Sequence, residues 1–363
     1  MNVAIVGGGI VGCALAYELA SRGAEVRVLD PREAGQGATQ ASAGVLAPYV
    51  EGHSEALLRL AVCGLDYYES FIARVSADAE RPIEYRRIGT LQVACGEGEV
   101  RQLAETALRL AHADVAHTYL DREAARDLEP ALSREIAAAL LVPQHGYVGV
   151  STLMAALRSA SSRRGVTMTS ARVQRIDSTH GVRLETTVGP VEADAVVIAA
   201  GSWSGGVMMS ATPTAPVRPI RGQLLHVRCS EPPVSRVIWG TSAYLVPWQD
   251  GSVLIGATSD DVGFDESATV GGVQGLIEGA TALVPALAAA RFAEVRVGLR
   301  PLTSDELPLI GASSTMRSVY FATGHYRNGV LLAPLTAVLL ADLMLEGREP
   351  AELVLSRPGR FGL

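Results

Sequence analysis

The hydrophobic pattern opens with a strand, a turn, a helix and a second strand. Residues 3–6 form a short apolar run, rich in β-branched side chains, that stops at three glycines. An amphipathic stretch at 10–22 follows and ends at Gly23, and the apolar run 25–29 then closes on Asp30. Because short β-branched runs favour strands and a 3.6-residue periodicity favours a helix, this order predicts a β-α-β unit.

Three glycines in the first turn have the spacing of a dinucleotide-binding site. Gly7, Gly9 and Gly12 follow the Gly-x-Gly-x-x-Gly pattern between the predicted strand and helix. The first glycine permits a tight turn, the second lets the backbone approach a pyrophosphate, and the third lets the helix pack on the strand. Unpaired N–H groups near Ile10 and Val11 would then face the diphosphate.

The residues after the second strand favour FAD over a nicotinamide cofactor. Asp30 is placed to accept hydrogen bonds from the adenosine ribose, and the run 35–44 contains nothing larger than glutamine. Such a run lets the backbone lie along the pyrophosphate and ribityl chain of an extended flavin dinucleotide. No second Gly-x-Gly-x-x-Gly follows a later strand, so the substrate itself is expected to donate the electrons. Gly201, which follows a buried strand, marks a second turn of the kind where ligands collect.

Further along, helical and strand patterns alternate. Helices are predicted at 57–77, 97–112, 121–129, 147–164 with Ser151 as N-cap, 270–283 and about 333–346. Strands are predicted at 84–94, 171–176, 183–188, 193–200, 223–228, 244–247, 252–256, 295–301 and 319–323. The predicted fold class is α/β, or α+β overall: a Rossmann-like FAD-binding domain of the glutathione-reductase type with an inserted antiparallel-sheet substrate domain. The FAD-binding domain is assigned to 1–80, 145–220 and 296–363, and the substrate domain to 81–144 and 221–295.

Composition narrows the functional classes further. With 363 residues, 48% of them hydrophobic, the chain can bury a large core. The net charge of -7 provides no basic surface for nucleic acid or an anionic membrane. All basic residues are arginine, so a lysine Schiff base is excluded. The four cysteines are scattered without zinc-ligand spacing, and neither a signal peptide nor an uninterrupted membrane-length apolar run is found, which predicts a cytoplasmic protein with reduced thiols and no metal.

Long stretches of the chain resemble one protein family. They are VAIVGGGIVG, ATQASAGVLAP, YRRIGTLQVA, AAGSWS, PIRGQLL, YLVP, GATSDDVGFDE, VGLRPLTSDELPLIG and ATGHYRNGVLLAP. In these stretches the chain resembles the D-amino acid oxidase family of FAD-dependent oxidoreductases, and most closely its glycine oxidases of bacterial thiazole (thiamine) biosynthesis. The last two stretches are the specific ones, whereas the opening glycine motif alone is not.

The resemblance implies which residues contact FAD. The adenine end would lie along Asp30, Pro31, Ala38 and Thr39, and Val173 would contact the adenosine side. Ala43, Gly44 and Val45 would approach the flavin, and the isoalloxazine would be wrapped by His325, Tyr326, Arg327, Asn328, Gly329, Val330 and Leu331. Relatives with covalent flavin use a cysteine in the C-terminal part of the chain. All four cysteines here lie before residue 230, so non-covalent FAD is expected.

A second set of residues is predicted to hold a substrate carboxylate. Arg300 could bind it through two parallel hydrogen bonds, which would fix the α-carbon against the flavin. The resemblance implies that Tyr244 and Arg327 complete this clamp, and these three are the predicted catalytic residues. Ser242 and Ser259 stand where many relatives carry larger groups, so an enlarged pocket and a relaxed preference for glycine are expected.

The resemblance implies oxidative deamination by hydride transfer to flavin N5. Small amino acids and amines such as glycine, sarcosine and small D-amino acids would give an imine, then an oxo acid, ammonia and hydrogen peroxide. Oxygen, a thiazole synthase and further copies of the chain in a tetramer are the implied partners. Two alternatives stay open: a sarcosine or D-amino acid dehydrogenase using an acceptor other than oxygen, and a non-catalytic flavin-binding redox sensor or scaffold.

Overall fold

The computed structural model describes residues 1–51, 53–210 and 212–363. The described helices are α1 (Ile10–Ser21), α2 (Glu55–Ala79), α3 (Glu97–His112), α4 (Arg122–Leu128), α5 (Val150–Arg163), α6 (Val270–Leu283) and α7 (Gly329–Ala341). Short 3-10 turns at Gly201–Gly206 and Tyr326–Asn328 follow two of the strands, and a π-helical segment at Asp342–Glu346 extends α7.

The described strands form four sheets. In the first half of the chain they are β1 (Asn2–Val6), β2 (Glu25–Asp30), β3 (Val45–Leu46), β4 (Tyr85–Arg86), β5 (Thr90–Ala94), β6 (Thr118–Asp121), β7 (Ala138–Val142), β8 (Gly146–Val148), β9 (Thr167–Ser170) and β10 (Val173–Asp177). The others are β11 (Val182–Thr186), β12 (Gly189–Ala193), β13 (Ala195–Ile198), β14 (Met208–Met209), β15 (Arg218–Arg228), β16 (Val237–Trp239), β17 (Tyr244–Pro247), β18 (Ser252–Gly256), β19 (Arg291–Leu302), β20 (Leu309–Ala312) and β21 (Val319–Thr323).

A six-stranded, mostly parallel sheet carries the turn that is predicted to bind the nucleotide. Its strand order is β20-β21-β13-β1-β2-β9, and only β20 runs antiparallel to its neighbour. The apolar residues of β1 and β13 are fully buried because helices cover the sheet. Parallel pairing brings the carboxyl ends of β1, β2 and β13 to one edge, where α/β sheets bind their ligands.

An eight-stranded sheet lies on the other side of the site. Its order is β19-β15-β18-β17-β16-β5-β7-β6, and the pairs are antiparallel except that of β16 with β5. The long strands β15 and β19 pair from Arg218 with Leu302 to Arg228 with Arg291. The smaller sheets have the orders β12-β11-β10-β14 and β3-β8-β4.

The largest core cluster lies between the parallel sheet and α1, α2, α5 and α7. Tyr326–Glu346, which contains α7, is long and apolar enough to cross a membrane by composition. However, 72% of its apolar window is buried inside the protein, as expected for a core helix. Its hydrophobicity is therefore explained by the packing of α7 within the fold.

The structure confirms the α/β fold class and corrects several local predictions. The predicted strand 84–94 is two strands separated by Gly89, which has a positive φ of 84°. The N-cap of α5 is Gly149, and Ser151 lies inside the first turn, so the N-cap prediction was wrong. Helix α7 begins at Gly329, four residues before the predicted start, and this moves its N-terminus to the site. The division into domains at 80, 144, 220 and 295 stays a prediction.

Candidate active site

A large cavity lies between the two main sheets. It has a volume of about 1400 Å³, above the roughly 300–1,000 Å³ typical of small-ligand pockets. The carboxyl ends of β1 and β2 line one end, and side chains from β17 and β19 line the other. This shape can accommodate an extended dinucleotide together with a small substrate.

The turn between β1 and α1 forms the nucleotide end of the cavity. Gly7 has φ of 115°, and a Cβ there would lie 2.4 Å from the Ala199 carbonyl oxygen, so only glycine fits without rearrangement. A Cβ on Gly12 would lie 2.0 Å from the Gly7 oxygen, which shows how closely the helix approaches the turn. The Ile10 N–H donates to Thr39 Oγ1 at 3.1 Å, so the prediction of an unpaired N–H was wrong for Ile10. This bond ties the helix N-terminus to the small-residue loop.

Asp30 lies at the end of the cavity that is predicted to hold the adenosine. One carboxylate oxygen accepts from the Gly8 N–H at 2.7 Å and the other from the Arg32 N–H at 2.8 Å. Each oxygen keeps acceptor capacity for a ribose hydroxyl. Arg32 forms a bidentate pair with Glu266 at 3.0 and 2.8 Å, and its guanidinium lies 4.3 Å from the ring centre of Trp203. Arg32, Glu266 and Trp203 together form what we call the Arg32 wall of the cavity. Sequence reasoning missed it, because the partners of Arg32 are distant along the chain.

The loop 325–328 and the start of α7 enclose the middle of the cavity. His325 is buried and shares a hydrogen bond between Nε2 and Thr336 Oγ1 at 3.0 Å. Burial lowers the pKa of His325 to about 4, so its ring is neutral at pH 7. Because α7 begins at Gly329, which lines the cavity, the positive end of the helix dipole lies at the cavity.

Arg300 and Tyr244 lie together at the opposite end. Arg300 Nη1 donates to the Thr258 carbonyl at 2.9 Å, the only hydrogen bond of this guanidinium to the described residues. Tyr244 stacks on Trp239 with ring centres 5.0 Å apart. Burial raises the pKa of Tyr244 to about 12, so its hydroxyl keeps its proton and can donate a hydrogen bond. The guanidinium and the hydroxyl can therefore bind a carboxylate together.

Glycines opposite both side chains make room for them. Gly222 on β15 faces Gly298 on β19, and a Cβ at Gly222 would lie 2.4 Å from Arg300 Nη2. Gly256 pairs with Tyr244, and a Cβ there would lie 2.2 Å from the tyrosine ring. Both side chains thus lie close to backbone positions that carry no side chain.

Glu51 is a site residue that sequence reasoning missed. It lines the cavity, its side chain is 9% exposed, and its Oε2 accepts no hydrogen bond from the described residues. Burial raises the pKa of Glu51 to about 7, although Arg327 and Arg300 act in the opposite direction. No charged residue occurs from 34 to 50, and Glu51 is the first charged residue after this stretch. That position was the one signal in the sequence that could have identified Glu51 as a site residue.

Most residues predicted to bind FAD line the cavity. They are Gly7, Gly9, Ile10, Val11, Asp30, Pro31, Ala38, Thr39, Ala43, Gly44, Val45, Val173, Gly201, His325, Tyr326, Arg327, Gly329 and Val330. The predicted substrate residues Ser242, Tyr244, Ser259 and Arg300 line it as well. Gly12, Asn328 and Leu331 do not reach its surface; Gly12 packs helix on strand, and the other two are buried. Two helix N-termini and a small-residue wall fit the diphosphate and flavin of FAD.

Comparison with known proteins also indicates an FAD-dependent enzyme. Residues 2–343 match the family described as FAD dependent oxidoreductase. The glycine oxidase of Geobacillus kaustophilus is 34% identical over 96% of this chain and 94% of that protein. The crystal structure of glycine oxidase from the same organism has a TM-score of 0.92, with 33% identity, 98% of this chain covered and 97% of that chain.

A second relative is longer. The bifunctional protein ThiO/ThiG of Nostoc sp. is 32% identical over 95% of this chain, which covers 53% of that protein. The chain thus spans about half the length of the bifunctional relatives that it matches. The family match and the glycine oxidase structure confirm the sequence-based prediction of an FAD cofactor and of an amino-acid oxidase fold.

Proposed function

We propose, on the premise that the chain belongs to the FAD-dependent oxidoreductase family, that it oxidises glycine and other small amines and amino acids, among them sarcosine and small D-amino acids. The observation that carries the proposal is that Arg300, Arg327 and Tyr244 all line the dinucleotide cavity, with both guanidiniums close enough to act on the Tyr244 hydroxyl. Arg300 offers nitrogens that no described residue occupies. An α-amino acid carries the planar carboxylate that such a fork binds.

The chain's own residues would hold FAD at both ends. The β1-α1 turn and the N-terminus of α1 would bind the diphosphate, Asp30 the ribose, and the start of α7 would stabilise negative charge on the flavin. FAD, when bound, accepts a hydride from the α C–H bond of the substrate and returns the electrons to oxygen as hydrogen peroxide. Trp203 and Arg32 would enclose the adenosine side.

The carboxylate clamp, formed by Arg300, Tyr244 and Arg327, would orient the substrate. Arg300 would hold the carboxylate through two N–H donors while the Tyr244 hydroxyl donates a third hydrogen bond. With the carboxylate fixed, the α-carbon of a small substrate would be held at one place in the cavity, and rotation about the bond to the carboxylate would be its main remaining freedom. Holding the reacting atoms in such a geometry can contribute about 7–11 kcal/mol to lowering the barrier. Water would hydrolyse the imine product to an oxo acid and ammonia.

The pocket favours small substrates without restricting them to glycine. Ser242 and Ser259 line the cavity, are exposed, and carry short side chains. The space beside the α-carbon would therefore admit a methyl group or a small ring. This supports sarcosine, D-alanine and D-proline as further substrates.

A thiazole synthase would be the consumer of the imine. The fusion named ThiO/ThiG supports this link, since a glycine-oxidase-like half shares one chain with a second activity. Oxygen would be the electron acceptor. The tetrameric assembly, the cytoplasmic location and the two-domain division stay predictions.

The proposal is tested with Arg300→Ala. Loss of the fork should raise the KM for glycine by roughly 30-fold or more, since truncating one partner of a charged pair costs about 2–5 kcal/mol. FAD content should stay near that of the wild type. Arg291→Ala changes an exposed arginine of the same strand and serves as the control. Unchanged glycine kinetics in Arg300→Ala would overturn the clamp.

The electron acceptor is tested separately. Hydrogen peroxide formed per glycine consumed should approach one in air. Turnover only with an artificial acceptor would instead favour the dehydrogenase alternative. Retained yellow FAD with no turnover by any amino acid would favour the flavin-binding sensor or scaffold.

A further inference from the structure

The substrate end of the cavity contains a buried acid that the carboxylate clamp does not use. Among the described residues that line the cavity, the carboxylates are Asp30, Glu51 and Glu185. Asp30 is bonded to Gly8 and Arg32 at the adenosine end, and Glu185 belongs to β11 of the small sheet. Glu51 is the one whose charge interacts with the guanidiniums of the clamp.

Glu51 has an unused hydrogen-bonding atom directed into buried space. Its side chain is 9% exposed, and Oε2 has no hydrogen-bond partner among the described residues. The nearest cationic candidate is His53, whose Nε2 lies 4.0 Å from that oxygen and is itself unpartnered. Burial lowers the pKa of His53 to about 4, so the ring is neutral at pH 7 and does not compensate a carboxylate. A buried acid with a free acceptor is costly unless a ligand supplies the missing partner.

The chemistry of the substrate supplies that partner. A zwitterionic amino acid presents one carboxylate, which the clamp takes, and one ammonium, which needs an acceptor of opposite charge. Hydride transfer also requires the nitrogen to be neutral, because its lone pair must form the C=N bond. We propose that Glu51 binds the ammonium group of the substrate and removes one proton from it before the α C–H bond breaks. This rests on the proposed function.

The proton and electron balance is complete. One N–H bond of the ammonium breaks and an O–H bond forms on Glu51, which becomes a neutral acid. The hydrogen on the α-carbon would then leave with its bonding pair to the oxidant FAD, and the nitrogen lone pair would become the second C–N bond of a protonated imine, which still carries two N–H bonds. The groups facing Glu51 are Arg300, Arg327, Tyr244 and His53. The two guanidiniums favour proton loss from the ammonium, and burial raises the pKa of Glu51 to about 7, so it can both accept and release a proton near neutrality.

Glu51→Gln in the holoenzyme tests the inference with two probes, glycine and acetate. Acetate has the carboxylate and lacks the amine. The variant should lower kcat/KM for glycine on the order of 10²-fold. The dissociation constant of acetate, measured from its effect on flavin absorbance, should be unchanged or smaller, because a repelling carboxylate is gone. In the wild type kcat/KM should rise with pH through about 7, and this limb should be absent in Glu51→Gln.

Two further variants separate a chemical role from a structural one. Glu55→Gln removes a neighbouring carboxylate that is 85% exposed and should behave as the wild type. Glu51→Asp should restore the limb near pH 7 in part. Equal losses of glycine and acetate affinity in Glu51→Gln, or an unchanged pH limb, would overturn the role of Glu51. A wild type that neither binds nor oxidises glycine would overturn the proposed function itself, and with it this inference.

Discussion

Gly222 offers a way to move the substrate clamp without removing it. Its backbone lies outside the left-handed region, so alanine is conformationally acceptable there. A Cβ at this position would lie 2.4 Å from Arg300 Nη2 and 2.5 Å from both Cζ and Nη1. Nonbonded heavy atoms in contact lie about 3.5–4.0 Å apart. The guanidinium in Gly222→Ala must therefore shift by roughly 1 Å or more.

The displacement should cost activity rather than folding. The clashing atoms are the far end of a flexible side chain, so the strand pairing of β15 and β19 can stay intact. A misplacement of about 1 Å in a positioning group can cost about 10²-fold in rate. We therefore expect kcat/KM for glycine to fall by about that factor in Gly222→Ala, with near-normal FAD content and thermal stability.

The assay compares steady-state glycine oxidation with the dissociation constant of acetate. Both should weaken in Gly222→Ala, because both depend on the position of the fork. Gly271→Ala is the matched control, since a Cβ on that glycine meets nothing within 4 Å. Adding Gly222→Ala to Arg300→Ala should cause little further loss, because the displaced group is already absent. Wild-type kcat/KM in the single variant Gly222→Ala would refute the reasoning.

Other changes probe the cofactor wall, the pocket and the buried acid. Gly44→Ala should lose FAD and lower the unfolding temperature, because the residue has φ of 74° and a Cβ would lie 1.9 Å from the Val148 oxygen; normal FAD content would contradict this. Ser259→Met should lower kcat/KM for sarcosine and D-proline more than for glycine, by about 10-fold; equal effects on all three would argue against its place beside the α-carbon. Glu51→Gln should stabilise the fold increasingly as pH rises from 4.5 to above 7. Burial raises the pKa of this carboxyl to about 7, so the stability of the wild type is lost as the group ionises, by roughly 3 kcal/mol at most. The measurement is the free energy of unfolding of the wild type and of Glu51→Gln at pH 5 and pH 8. A difference between the two proteins that does not change with pH would count against a buried carboxylate at Glu51.

The nucleotide end could be predicted from the sequence because its signals are local. Gly7, Gly9 and Gly12 act within one turn, and the apolar periods on either side specify the strand and the helix. The start of α7 was predicted four residues late, since Gly329 and Pro334 disfavour helix in the sequence while burial of the apolar stretch overrides them.

The substrate end depends on contacts that are distant along the chain. Arg300 and Tyr244 were identified through resemblance, but the glycines that make room for them become visible only when β15 pairs with β19 and β17 with β18. Glu51 escaped prediction because an acid beside a loop is usually solvated. Its burial results from side chains brought together by the whole fold. The Arg32 wall required Glu266, which lies 234 positions away.

The most direct test of the account is an anaerobic titration of the purified yellow protein with glycine, followed by flavin absorbance. We expect the visible absorbance of the oxidised flavin to bleach with glycine and to return on admission of air, with formation of hydrogen peroxide and ammonia. Sarcosine, D-alanine and D-proline should bleach it as well, to an extent set by their size. Flavin that stays oxidised with all four compounds would contradict the central claim that this cavity oxidises small amino acids and amines.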